Sequence, residues 1–287
     1  MTSGASLEHR RIELDRAGIA EVSELLGAAF PHLDYLTPHY LTWAYVANPD
    51  GPALGFNAYD GGRIAAHYVT QPLRAVVDGR VEPGLLSLHT GTRPEYQGRG
   101  LFTELARRTY AAAAEAGYGH VIGVANAAST PGFLKKLGFQ LVAPLDARVG
   151  IGKAPRSDPA WRPDYRREWS EAALRWRLDC PGRDYRSERR DGATTILAPT
   201  GRLGIWADLG SLEVAELPVS RPAAGLRPLR LWLGLDRGRR FGSAAYARLP
   251  DPLRPSPLNL IFLDLTGRGR RLDPERVRFQ ALDFDAY

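Results

Sequence analysis

The chemistry-bearing residues of this chain are concentrated between Leu85 and Phe139, where a strand-like run, Leu85 to Thr92 (LLSLHTGT), leads directly into RPEYQGRGLFTEL. A strand that ends in the glycine-bearing turn Gln97-Gly98-Arg99-Gly100 and then starts a helix aims several unpaired backbone N–H groups at one spot. Such a spot holds an anion, and in outline it is a pyrophosphate site.

The elements around this turn are legible from periodicity. Residues 8 to 152 alternate strands and helices. Arg11 to Leu14 reads as a short strand, and Ala17 to Phe30 as a helix with Ile19, Val22, Leu25 and Leu26 at helical spacing. Thr37 and Pro38 open a second helix that Asn48-Pro49 stops. Ala53 to Tyr59 and Ile64 to Val76 read as strands joined by Asp60-Gly61-Gly62. Leu101 to Ala116 is the strongest helix, closed by Gly117. Tyr118 to Ala125 follows as a buried-type strand, then a short helix ending at Gly138, then a strand from Phe139 to Gly150. This order predicts an α/β (α+β) fold with a mixed, mostly antiparallel sheet flanked by helices.

At 287 residues the chain is long enough for two domains. Lys153 to Arg166 (KAPRSDPAWRPDYR), rich in proline and charge, is the expected linker between a first domain, 1–152, and an accessory domain, 167–287. Beyond it, Glu171 to Pro181 (EAALRWRLDCP) echoes His39 to Pro49 (HYLTWAYVANP), which predicts a weak internal repeat whose second copy lacks the glycine turn. The tail, NLIFLDL and then VRFQALDFDAY, is expected to supply strands of a second sheet. Trp161, Trp169, Trp176, Trp206 and Trp232 read mainly as core.

Composition narrows the partners. The balance of 44% hydrophobic and 24% charged residues is that of a globular protein, and no apolar run reaches the roughly 20 residues of a membrane span. No apolar segment follows the start MTSGASLEHRRIELDR, so a cytoplasmic location is expected. Cys180 is the only cysteine, which excludes an internal disulfide framework and a cysteine-rich zinc site; no metal is expected. The net charge of +6 comes almost wholly from arginines interspersed with acids, and no nucleic-acid-binding motif accompanies it. Neither nucleic acid nor a membrane is expected as partner. A basic protein handling phosphate-bearing small molecules, as a monomer or homodimer, fits.

Taken in order, these pieces resemble the Gcn5-related N-acetyltransferase (GNAT) superfamily over about residues 8 to 152. Three segments carry the resemblance: the turn Gln97 to Gly100, the strand Leu88 to Arg93, and Asn126 with Pro131 to Phe139 (PGFLKKLGF). The resemblance implies acetyl-CoA or another acyl-CoA as cosubstrate. The backbone N–H groups of Gly98, Arg99, Gly100, Leu101, Phe102 and Thr103 would wrap its pyrophosphate, next to Gln97. Thr90, Thr92 and Arg93, on the strand edge, would border the pantetheine arm, with Asn126 and Phe133 on the far side. Phe102 stands where the turn usually ends in Gly or Ala. Leu134 stands where a tyrosine commonly protonates the departing thiolate, and leucine has no proton to give. Lys135 and Lys136 read as a solvated helix face.

The resemblance further implies direct attack of an amine on a thioester, which calls for a group that removes the amine proton. His89 is the leading candidate for that catalytic base, since an imidazole titrates near 6.5 and this one lies on the implied thioester strand. His67, Tyr68 and Asp34 are rivals. Strand alternation puts Ser87, His89 and Gly91 on one face and Leu88, Thr90 and Thr92 on the other, without saying which meets the cleft. The expected activity is N-acylation of a small amine such as an amino sugar or natural-product intermediate. A protein or peptide amine, and acyl-CoA binding without catalysis, are the alternatives.

Overall fold

The computed structural model describes residues 7–284 except 191, 203, 214–220, 224–226, 243, 244, 251–253 and 255. The first half comprises β1 (Glu8–Arg11), α1 (Arg16–Ala29), α2 (Pro38–Tyr45), β2 (Leu54–Asp60), β3 (Arg63–Val77), β4 (Arg80–Thr92), α3 (Leu101–Glu115), β5 (His120–Ala125), α4 (Thr130–Leu137), β6 (Gln140–Pro144) and β7 (Asp146–Ile151). The second half follows with β8 (Tyr165–Arg167), α5 (Glu171–Leu178), β9 (Arg186–Arg190), β10 (Ala193–Pro199), β11 (Trp206–Leu212), β12 (Arg221–Pro222), β13 (Leu229–Asp236), β14 (Tyr246–Arg248), β15 (Asn259–Asp264) and β16 (Val277–Gln280).

Local chemistry sets the helices. Asp15 accepts the Gly18 N–H at 2.8 Å and caps α1, whose Ile19, Val22, Leu25 and Leu26 are buried. Thr37 caps α2 with Pro38 in its first turn. Gly138, in the left-handed region, ends α4. The first strand lies at Glu8–Arg11, earlier than the apolar pattern suggests, because it is selected by pairing with β2. β4 likewise starts at Arg80, five residues before the apolar run, behind a hairpin turn of Asp78 and Gly79 with φ of 50° and 77°.

The strands form one sheet in which two similar sets can be traced. In the first, β2, β3 and β4 are antiparallel neighbours, β4 runs parallel to β5, and β15 lies antiparallel between β5 and β6. In the second, β9, β10 and β11 are antiparallel neighbours, β11 runs parallel to β13, and β7 lies antiparallel between β13 and β14. Each half therefore receives its penultimate strand from the other. The Phe139 to Gly150 run accordingly splits at Leu145, where the chain leaves one set for the other and Leu145 N–H turns to Leu258 O at 2.8 Å. The segment NLIFLDL, expected in a second sheet, instead completes the first set of strands, between β5 and β6. Leu260, Ile261 and Phe262 are at most 1% exposed, which suits a strand covered on both faces.

The internal repeat echoed in sequence is also met in space. α2 and α5 pack with Trp43 and Trp176 stacked at 4.7 Å. Each indole N–H donates to the other residue's carbonyl, at 2.9 and 3.0 Å. This reciprocity is what an approximate two-fold axis between the halves produces. The expected linker, 153–166, ends inside the sheet: its last two residues open β8, which pairs with β3 on one side and β16 on the other.

Candidate active site

A groove of two adjoining cavities runs along the end of β4, between α1, α3 and α4. The first, about 380 Å³, is lined by Thr90, Thr92, Gln97, Gly98, Gly100, Leu101, Phe102 and Thr103, together with Ala29, Phe30 and Lys136. The second, about 520 Å³, is lined by Ser87, Leu88, His89, Thr90, Asn126 and Phe133, with Phe30, Leu33, Tyr35 and Leu36 on its far side. Thr90, Phe102, Phe30 and Gly132 border both.

The first cavity is shaped by the turn before α3. Gly98 and Gly100 have φ of 76° and 79°, a region that L side chains avoid, although there is space for a Cβ at both. Gly100 caps α3 without a side-chain bond, and the first intrahelical bond runs from Glu104 N–H to Gly100 O. The N–H groups of Leu101, Phe102 and Thr103 thus precede the helical ladder and carry its positive end. The residues present fit a pyrophosphate. Phe102 takes the place between the cavities, edge-on to Phe133 at 5.0 Å, and Gly132 makes room for it: a Cβ there would lie 3.0 Å from the Phe102 ring.

The side chains of two residues in the expected cofactor segments point away from the groove, although Arg99 is expected to act through its backbone N–H. Arg93 is 4% exposed, and its guanidinium is spent on Ile64 O at 2.7 Å and Glu24 at 2.8 Å, fastening β4 to β3 and α1. Arg99 lies over the Tyr96 ring and donates to Glu95 O. Asn126 does line the second cavity, while its Oδ1 accepts from Ser129 N–H at 2.9 Å and so braces the entry to α4. Lys136, read as a solvated face, borders the first cavity.

The second cavity owes its polarity to a bulge in β4. Register shifts where β3 residues His67 to Val69 face Gly91 and Leu88, and His89 adopts a φ of 43°. The bulge breaks strand alternation, so that consecutive residues Ser87, Leu88, His89 and Thr90 all reach the cavity. A positive φ at a non-glycine residue is strained, and here it aims an imidazole.

Behind His89 runs a buried chain of hydrogen bonds. Tyr45 Oη lies 3.3 Å from His89 Nδ1 and 3.3 Å from His67 Nε2; His67 Nδ1 lies 2.7 Å from Asn57 Oδ1; and Asn57 Nδ2 donates to Tyr59 Oη at 3.3 Å. An amide oxygen only accepts, so His67 carries its proton on Nδ1 and its Nε2 accepts from the Tyr45 hydroxyl. The Tyr45 oxygen in turn accepts from His89 Nδ1–H. His89 Nε2 is then left with a lone pair, 3.4 Å from Tyr40 Oη. Burial, and then the neighbouring His89, push the His67 imidazole down to about 3, so it stays neutral and keeps this polarity.

The rivals to His89 are placed otherwise. Tyr68 is fully buried and bonded to Ser87 and Tyr110; burial pushes its hydroxyl up to about 12. His67 is the inner member of the chain, and Asp34 is exposed in the loop before α2. Leu134 packs against the core cluster of α3 and β5. Tyr40, Tyr45 and Asn57, which orient His89, carried no local sequence signal, because only the sheet brings them together.

Residues 11–142 match the acetyltransferase (GNAT) domain family. These residues belong to the GNAT superfamily. The family supports acyl-CoA-dependent acyl transfer in general. Similar solved structures extend the likeness of fold to both halves of this chain. A probable N-acyltransferase from Enterococcus faecalis has a TM-score of 0.63 at 9% identity, covering 91% of this chain and 73% of that one. A GCN5-related N-acetyltransferase from Anabaena variabilis has a TM-score of 0.60 at 12% identity, covering 90% and 73%. Eis1 from Mycobacterium abscessus has a TM-score of 0.59 at 12% identity, covering 91% and 74%. No curated protein matches the sequence. Among the described residues, no helix is long and apolar enough to cross a membrane.

Proposed function

We propose that this protein transfers an acyl group from acyl-CoA to the nitrogen of a small amine, with His89 as general base. The observation that carries the reading is the placement of His89 in the cavity beside β4, where the chain through Tyr45 assigns the proton to Nδ1 and leaves Nε2 as the accepting nitrogen, next to Tyr40 Oη. The turn at Gly98 and Gly100 and the start of α3 would hold the pyrophosphate; the acyl-CoA supplies the activated thioester. As the amine nitrogen bonds to the thioester carbonyl, its proton passes to His89 Nε2. The imidazolium then has an acceptor on each nitrogen, Tyr45 Oη and Tyr40 Oη. When the C–S bond breaks, the same proton is available to the sulfur, which offsets the missing tyrosine at Leu134.

The second cavity favours an acceptor with an apolar body. Phe30, Leu33, Leu36, Leu88, Val124 and Phe133 supply much of its wall, and no acidic side chain lines it among the described residues. A polycationic amino sugar would meet no carboxylate there, so a neutral or weakly basic natural-product amine fits better. The expected location is the cytoplasm, and the expected state a monomer or homodimer.

Thiol release from acetyl-CoA over a panel of apolar amines, aminoglycosides and peptides tests this reading. The expected result is turnover with apolar amines, reduced by about 10² to 10⁴ in His89→Gln. Binding of acetyl-CoA with no amine-dependent release would leave a binding protein without catalysis.

A further inference from the structure

A third cavity, about 430 Å³, lies in the second half against the end of β11, and neither acyl-CoA nor an acceptor amine has a use for it. Its place corresponds to that of the acyl-CoA groove. In the first half β4 bulges at His89 and leaves β5 after Ser87; in the second, β11 bulges at Leu209, opposite Ile196 and Leu197 of β10, and leaves β13 after Asp208. The opening between β11 and β13 is filled from within. β16 pairs there with β13 from Gly234 to Asp236, and Gln280 Oε1 accepts the Ser211 N–H at 3.0 Å. A pantetheine arm has no space in this half. Ser211, at the end of β11, instead faces the cavity formed with β8 and the segment before it.

The chemistry of this cavity is cationic and aromatic. Arg167 and Arg278 line it, as do Trp161 and Trp169. The Arg167 guanidinium lies 3.7 Å from the Trp169 ring centre, and that of Arg278 lies 5.4 Å from the Trp161 ring centre. Arg167 is 6% exposed and donates from Nη1 to Asp283 O at 3.1 Å, yet its Nε and Nη2 have no hydrogen-bond partner among the described residues. Arg278 Nε is likewise without one, while its Nη2 donates to Ser157.

The carboxylates that face this cavity are engaged or exposed. Asp283 accepts from Trp169 Nε1 at 3.2 Å and from Gln280 N–H at 2.7 Å. Glu168 is taken by Arg166, and Glu213 is exposed. Asp236, 3.7 Å from Arg278 Nε, is shared with Arg239. The charges of Asp283 and Asp50 act on Arg167, and that of Asp236 on Arg278, yet buried guanidinium donors without hydrogen-bond partners are costly, and stacking on tryptophan offsets only part of that cost.

We propose that this cavity binds the oxyanion of a small organic molecule, a phosphate or a carboxylate, through Arg167 and Arg278, with Trp161 and Trp169 against its apolar body. The volume is in the range of small-molecule sites, and paired guanidinium donors match both oxyanions. The site is independent of the acyl-CoA groove and stands whether or not that groove is catalytic.

Calorimetric titration of the full chain with phenyl phosphate, benzoate and phenol tests the proposal. Saturable binding of phenyl phosphate, benzoate or both, with none for phenol, is expected, and the tighter anion identifies the oxyanion as phosphate or carboxylate. Arg278→Gln and Trp161→Leu should each weaken that binding by about tenfold, the first through loss of a charge-assisted contact and the second through loss of the aromatic face. Gly100→Val, in the other half, should leave it unchanged. If Arg278→Gln does not fold, Trp161→Leu decides. The proposal is overturned if neither anion binds at roughly millimolar concentration, if the folded variants bind like the parent, or if Gly100→Val abolishes binding.

Discussion

Replacing Tyr45 by phenylalanine isolates the hydrogen-bond chain behind His89, because it removes one oxygen from a side chain that is 1% exposed and borders neither cavity of the groove. Two partners lose that oxygen: His67 Nε2, fully buried, and His89 Nδ1, half-buried. An unsatisfied buried acceptor costs about 1–3 kcal/mol of stability. His89 reaches water more readily and adds less. The effect on rate is of a different kind. With no acceptor at Nδ1, the imidazole is no longer held with its lone pair on Nε2. Loss of that bias, worth about one hydrogen bond of roughly 1 kcal/mol, lowers kcat by roughly five- to tenfold. Thiol release at saturating acyl-CoA should show this fall with an unchanged KM for acyl-CoA, alongside a reduced unfolding free energy in urea. His89→Gln should fall further. A folded Tyr45→Phe with the parental kcat, or one that loses as much as His89→Gln, would refute the relay.

Other consequences are open to simple measurements. A fragment of residues 1–152 lacks β15, which pairs with β5 and β6, and retains β7, whose partners β13 and β14 are gone. It should be insoluble when expressed alone, and adding residues 153–287 as a second chain should recover it; a soluble, cooperatively folding fragment would contradict the strand exchange. Acid should destabilise the protein in two stages. His67 sits near 3 when folded, below a free imidazole at 6.5, so its contribution is full above pH 6.5 and declines as the pH falls toward 3. Burial alone would raise Glu82, but hydrogen bonds from His120 and Arg270 hold it near 2, so its contribution is full above about 4.5 and is lost toward pH 2. Urea unfolding between pH 8 and 4 should show stability falling from about pH 6.5, and a flat profile would contradict the burial of His67.

The turn and the helix behind it were legible because each rests on local rules. Gly98 and Gly100 are needed for backbone conformation alone, and Leu101 to Glu115 is rich in alanine with a regular apolar stripe. His89 was legible as a residue type but not in its orientation, since its bulge departs from the period of two on which strand reading rests. Arg93 is expected on the strand edge from the resemblance alone; its burial could not be read from the sequence, because Glu24 and Ile64 O, which hold its guanidinium, are brought to it only by the fold. The destinations of β7 and β15 could not be read at all. A strand pattern states which faces are apolar, and both are strands with suitable neighbours in either half. The same holds for Tyr45 and Asn57, which carried no signal of their own, and for the contacts that join them to His67, a residue legible only as a possible base.

The account rests on the groove at the start of α3 accepting one acyl-CoA. Calorimetric titration of the full chain with acetyl-CoA tests it most directly. Saturation at one equivalent per chain is expected, with loss of binding in Gly100→Val, where a branched side chain cannot hold a φ of 79°. No saturation at roughly millimolar acetyl-CoA, the upper end of ordinary substrate affinity, or undiminished binding by Gly100→Val, would contradict it.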